Sequence, residues 1–267
     1  MRKYYMFFKL RFAAGIQYRT ATLTALTTQL IWGLMECLVY KVIAEAYGSR
    51  APMDYSSIVA YIWLKEAMLA LFHTWNADND IFAMIMNGDI AYELCRPVSV
   101  YSMWFSRNVG GRVSELILRC FPVLFCAFLM PGPYKMSLPV SGEAFGLFLL
   151  TTVLGTGVTV AFCTLVYMLC IFTISPKGWK MVLTGAVDFL SGNIIPLPFF
   201  PAPFLKIAEL LPFAYMQNVP FRIYCGDMVG EEIRISILKQ IFWLSALISL
   251  GILLWKRVEK RIVVQGG

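Results

Sequence analysis

The sequence has one histidine, His73, and its seven cysteines form no Cys-x-x-Cys pair. Structural zinc sites are built from Cys and His clustered at short spacings, so no metal is expected. The cysteines fall mostly inside apolar segments and read as small buried hydrophobes. Charge is scarce as well. Asp, Glu, Lys and Arg make up 15% of 267 residues while 59% are hydrophobic, which excludes an ordinary water-soluble domain. The net charge of +7 comes from Lys and Arg at the ends of apolar segments, with no basic cluster, so nucleic acid is not an expected partner. The chain also lacks a Gly-x-x-x-x-Gly-Lys-Ser/Thr loop, a His-Glu-x-x-His and a Gly-x-Ser-x-Gly. It therefore has no phosphate cradle of its own, and no catalytic residue or resident cofactor is expected.

What remains is a chain of long apolar runs. A helix needs about 20 apolar residues to cross a bilayer core, and six segments approach that length: 20–40, 55–75, 114–130, 143–173, 179–195 and 233–255. The fourth is long enough to tilt or protrude, and the fifth is short and ends at Pro196. Ahead of them, residues 1–19 mix Arg2, Lys3, Lys9, Arg11 and Arg19 with Tyr4, Tyr5, Phe8, Phe12 and Ile16 at helical spacing, which predicts an interfacial helix on the membrane surface. The expected fold is all-α and integral to the membrane, with six transmembrane helices. Orientation follows from the flanks. Fourteen Lys and Arg lie in the N-terminus, the second and fourth gaps and the C-terminus, against six in the other gaps. Both termini and the segment 76–113 are then cytoplasmic, in a multi-pass protein of the plasma or inner membrane.

That orientation places 196–230 outside. Prolines at 196, 198, 201, 203, 212 and 220 forbid one continuous helix, yet Phe199, Phe200, Phe204 and Leu205 are too apolar for an open loop. A re-entrant segment of short helices solves both constraints, with Phe199, Phe200, Pro201 and Phe204 forming either an outer gate or a capping plug. Within the spans, Lys65 and Glu66 sit near the middle of the second, Glu36 in the outer half of the first and Asp188 midway along the fifth. Ionisable groups at such depth face a bundle interior or a wet cavity. Lys65, Glu66 and Asp188 therefore line a pathway, or else form an interhelical pair such as Lys65 with Asp188. In the fourth span, Gly142, Gly146, Gly155 and Gly157 predict a face that another backbone approaches closely.

The segment 80–100 is the largest cytoplasmic feature. Asn87-Gly88 and Arg96-Pro97 are helix breakers, so a short helix is expected between them, capped by Asp89, with Ile90, Tyr92 and Leu94 as apolar anchors and Glu93 and Arg96 as a polar rim. Such an element suits a soluble partner.

The run NGDIAYELCRPVSVY resembles the loop between the second and third spans of ABC-2 type transporter permeases, and Gly88, Ile90, Leu94, Arg96, Pro97, Val98 and Ser99 carry the match. A second likeness lies in the Pro-Phe-rich stretch 195–226, and the six-span layout agrees along essentially the whole chain. The resemblance implies an exporter subunit that moves an amphiphilic or hydrophobic cargo, such as a drug, a lipid or a modified peptide. It implies a cytoplasmic ABC ATPase dimer that carries ATP and Mg and docks on the coupling segment from Asn87 to Pro97, whose helix begins at Asp89. It also implies a second permease chain, a related paralogue rather than an identical copy. The other classes open to these residues are a membrane scaffold docking a cytoplasmic partner through the same loop, and an intramembrane enzyme or passive channel.

Overall fold

The computed structural model describes residues 2–17, 19–74, 78–171 and 176–259. Among them the chain forms α-helices and 3-10 turns and no strand. The ends of the second and fourth expected spans, at 75 and 172–173, and the basic residues Lys260 and Arg261 lie outside the described residues.

Apolar runs become helices much as their periodicity requires. The N-terminal run forms α1 (Arg2–Gln17) and the first expected span forms α2 (Arg19–Tyr47). The second expected span is broken in two, α3 (Tyr55–Ala67) and α4 (Leu69–Phe72), with Met68 between them. The segment expected in the cytoplasm then gives α5 (Asn79–Asn87) and α6 (Ile90–Leu94). The third expected span and its lead-in form one helix, α7 (Val100–Leu129), which contains Pro122. After it come α8 (Gly142–Ile171), α9 (Pro176–Leu190), α10 (Ala202–Leu210), α11 (Asn218–Cys225) and α12 (Glu231–Val258). Among the described residues, three segments are long and apolar enough to cross a membrane: Thr24–Tyr47, Gly142–Ile171 and Glu231–Arg257.

The most buried of the three is α8, which α7, α9, α11 and α12 surround. Its small residues explain part of this packing and correct part of the expectation. A Cβ on Gly155 would overlap the carbonyl oxygen of Met216, and one on Gly157 would sit 3.1 Å from Leu244, so both mark close approach. Gly142 and Gly146 meet nothing within 4 Å and mark none. Gln240 of α12 completes the contact by donating to the carbonyls of Thr151 (3.1 Å) and Tyr215 (2.9 Å). Backbone cannot yield to a new side chain as a flexible tip can, so Gly155→Val should destabilise the chain by about 1–3 kcal/mol. Gly146→Val should leave the melting temperature of detergent-purified protein unchanged.

The helices sort their polar connections to two ends. At one end α1 lies along the first half of α7, so closely that a Cβ on Gly110 would sit 2.7 Å from the Phe8 carbonyl oxygen. Trp255 near the end of α12 meets Trp104 of α7 there, with ring centroids 6.4 Å apart. At the other end the turn after α7 is held by Trp63 Nε1 donating to the Tyr134 carbonyl (2.9 Å) and Tyr224 donating to the Ser137 carbonyl (3.2 Å). Three of the elements that charge bias assigns to one side, α1, the start of α7 and the end of α12, thus share one end of the molecule.

Candidate functional site

The segment expected in the cytoplasm forms as its breakers dictate. Asp78 caps α5 by accepting from the Asp80 backbone N–H (3.1 Å), and Gly88 ends it in the left-handed conformation at φ 77°. Helix α6 starts directly after Asp89, whose carbonyl accepts from the Tyr92 N–H (3.0 Å). Arg96-Pro97 separates it from α7.

The expected surface of α6 is only partly the one that forms. Tyr92 is 74% exposed, and Met86, Asn87, Gly88, Arg96 and Pro97 share its exposure. Ile90 is buried and Leu94 is half-buried against the core, so these two anchor the segment to its own protein. Glu93, expected on a polar rim, is buried, with one carboxylate oxygen 3.5 Å from Arg96 and the other lacking a hydrogen-bond partner among the described residues. Pairing with Arg96 explains how a carboxylate enters this position, since the guanidinium offsets its charge. Met86 was not singled out from the sequence because it belongs to the preceding helix. Only the turn at Gly88 brings it into the same segment.

Helix α1 and a polar hub mount this segment on the bundle. Tyr4 accepts from the Ser99 N–H (3.3 Å), and the Arg96 guanidinium lies over the Phe7 ring (5.9 Å). Asp78 pairs with Arg11 and Arg107, each at 3.2 Å, while its backbone N–H donates to the Tyr167 hydroxyl of α8 (2.6 Å). The same hydroxyl accepts from Asn108 (3.2 Å), whose Oδ1 accepts from Arg112 Nε (2.7 Å). Arg112 is 2% exposed, and its Nη1 donates to the carbonyls of Ala70 (3.2 Å), Leu71 (2.7 Å) and His73 (2.9 Å). The last carbonyls of a helix have no partner within it, and a buried guanidinium fork satisfies several at once. The end of α4, the cap of α5 and the bodies of α7 and α8 are thereby joined through four side chains. No local pattern in the sequence marked this hub, because Arg112 lies among Arg107, Asn108, Ser114 and Glu115. Because Arg112 precedes the expected third span, it was counted only as a flanking charge.

A second site collects the charges expected inside the spans. Lys65, Glu66 and Asp188 line one cavity of about 510 Å³ with Glu36, His73, Gln29, Trp32 and Asn193. The sequence left open whether these groups line a path or form an interhelical pair such as Lys65 with Asp188; the interhelical ion pair seen runs from Lys65 to Glu36 instead. Lys65 pairs with Glu36, lies 3.6 Å from Glu66 and donates to the Asn193 carbonyl (3.1 Å).

The four residues expected in the outer gate do not line this cavity. Phe199 packs on Tyr40 (5.2 Å) and buried Phe200 on Phe189 (5.0 Å), while Pro201 and Phe204 at the start of α10 are exposed. Tyr61 donates to the Gly192 carbonyl (3.3 Å) and meets Asn218 Oδ1 (3.3 Å), tying the turn after α9 to α11. The described residues contain no group of Cys, His, Asp and Glu able to hold a metal.

Residues 30–266 match the family model described as ABC-2 family transporter protein. No curated protein matches the chain.

Proposed function

The chain belongs to the ABC-2 transporter family, whose members are membrane transport subunits without catalytic centres of their own, and from that membership we propose that it is the permease half of an ATP-driven exporter. The observation that carries the finer reading is the mounting of α5 and α6. Their exposed face, centred on Tyr92, stands on a hub reaching three other helices. A soluble ATPase can act on a membrane only through a contact that differs between its nucleotide states. A short segment tied by Asp78, Tyr167 and Arg112 to α4, α7 and α8 supports such transmission.

In this reading α2, the α3–α4 pair, α7, α8, α9 and α12 are the six spans, both termini are cytoplasmic and ATP and Mg reside on a partner ATPase dimer. A second permease chain, a related paralogue, completes the pathway, since one six-helix unit offers little interior for two-sided access. The outward apolar residues Ile31, Met35 and Leu38 of α2 and Phe242 and Leu253 of α12 face lipid or that second chain. The cavity around Lys65, Glu66 and Asp188 is the cargo path. Phe204 and Pro201 serve as the outer gate and Phe199 and Phe200 as its packed base. The cargo is an amphiphilic or hydrophobic molecule.

Affinity purification of the full chain from native membranes tests this. It should recover an ABC ATPase and a second permease chain in stable association. Recovery of the chain with other soluble proteins and no ATPase would favour the scaffold reading, which the exposed face of α6 also fits.

A further inference from the structure

Helix α1 has two apolar faces, and the bundle uses one of them. Tyr4, Phe7, Phe8 and Arg11 recur at helical spacing and turn inward: Tyr4 accepts from the Ser99 N–H, Phe7 lies beneath the Arg96 guanidinium, the Phe8 carbonyl sits against Gly110, and Arg11 pairs with Asp78 and Asp80. The other face carries Tyr5, Met6 and Leu10, which are 64%, 58% and 68% exposed, with Lys3 and Lys9 exposed among them. Helix α1 contains no Asp or Glu, and among the described residues neither lysine has a hydrogen-bond or ion-pair partner. Large apolar side chains set beside free ammonium groups are at home where hydrocarbon meets negative charge.

The level of α1 along the bundle is an independent observation. Helix α12 is long and apolar enough to cross a membrane, and its outward residues Phe242, Leu250 and Leu253 stop at Trp255, which exposed Lys256 and Arg257 follow. A tryptophan and then basic residues closing an apolar span mark the headgroup level. Trp255 meets Trp104 of α7, and the Tyr101 ring lies against Gly251 one turn away. Because α1 covers α7 from Ser99 to Gly110, the headgroup level passes through its length. Arg11 packs beside Gly111, so neighbouring Leu10 lies about 10 Å past Trp104 along α7, on the hydrocarbon side. A soluble partner does not reach that depth, whereas a lysine stem is long enough to carry its ammonium back to the polar side.

We propose that the outward face of α1 binds anionic phospholipid, with Tyr5, Met6 and Leu10 against the acyl chains and Lys3 and Lys9 on the headgroup phosphates. The inference stands apart from the permease reading. It needs no ATPase, only a membrane-spanning α12. Its consequence for the chain is mechanical: the helix that takes the lipid is the one that mounts α5 and α6 through Tyr4, Phe7 and Arg11, so lipid held there stabilises the mount.

The test uses the full chain purified in dodecyl maltoside, with dioleoylphosphatidylglycerol or dioleoylphosphatidylcholine titrated in and both native mass spectra and melting curves recorded. Phosphatidylglycerol should be retained more tightly and should raise the melting temperature, and zwitterionic phosphatidylcholine should do less of both. Glycerol phosphate should do neither, because it has the phosphate and no acyl chain. Lys3→Gln combined with Lys9→Gln should weaken retention of phosphatidylglycerol about tenfold or more and leave phosphatidylcholine unchanged. Both lysines are exposed, so this variant should melt with the parent when no lipid is added. Leu10→Ser should weaken retention of both lipids. Lys206→Gln, on α10 beside the first half of α12, should change neither. Equal retention of the two lipids by the parent, undiminished phosphatidylglycerol binding by the double-lysine variant, or an equal loss in Lys206→Gln would overturn the proposal. So would loss of ATPase capture by the double-lysine variant with its lipid response intact, which would assign the face to the ATPase instead.

Discussion

Arg112→Leu is expected to destabilise the folded chain by about 3 kcal/mol or more, the largest effect of any single substitution considered. The variant strands the carbonyls of Ala70, Leu71 and His73 and the Oδ1 of Asn108, all of which the guanidinium now satisfies. Each buried acceptor left without a donor costs on the order of 1–3 kcal/mol. Leucine returns some hydrophobic burial, but it cannot cap the end of α4. Arg112→Lys should recover part of the loss, because an ammonium supplies charge and three donors without the planar fork that spans several acceptors. Thermal melting of the detergent-purified chain reads both variants. A melting temperature for Arg112→Leu equal to that of the parent would mean that the end of α4 is held by something else.

The second large effect concerns binding rather than folding. Tyr92→Asp should reduce capture of the partner ATPase by about thirtyfold or more, the size expected when a central aromatic anchor is replaced by a charge. Its side chain is 74% exposed, so the substitution should leave stability within about 0.5 kcal/mol. Leu94→Glu is the weaker probe, although the apolar pattern of α6 alone would make it the first choice. Leu94 packs on the protein's own core, and a carboxylate there disturbs the mount before it reaches any partner. Quantitative pull-down from solubilised membranes, alongside a melting curve for each variant, separates the two outcomes.

Helices were legible in the sequence wherever apolar runs were long and uninterrupted, as in α2, α8 and α12. The turn at Gly88 and the stop at Arg96-Pro97 were legible because each follows from backbone chemistry confined to one or two residues. The break at Met68 was not. No Gly or Pro marks it, and the carbonyls beyond it are held by Arg112, which lies 42 residues past Ala70 and 41 past Leu71. Long-range pairing was equally invisible. Lys65 and Glu66 were identified as buried charges, but the pairing of Lys65 with Glu36 from another helix depends on interhelical distance, which no local pattern encodes. Glu93 illustrates the same difficulty on a smaller scale. A glutamate beside an exposed tyrosine reads as a rim residue, yet its ion pair with Arg96 and the packing of Ile90 turn it inward. The small-residue stripe of α8 was half legible, since Gly155 and Gly157 meet a neighbour and Gly142 and Gly146 do not. Composition identifies residues that permit close approach, and only tertiary structure decides which of them are used.

The central claim is that this chain moves an amphiphile when an ATPase acts on it from the side of α5 and α6. Proteoliposomes containing the chain, its second permease and the co-purifying ATPase test it most directly, with ATP supplied to the ATPase side and release of a loaded fluorescent amphiphile followed in time. The account predicts ATP-dependent movement that is absent when the ATPase is omitted and lost in Tyr92→Asp. Equal movement without ATP, or full ATP-driven movement by Tyr92→Asp, would contradict it.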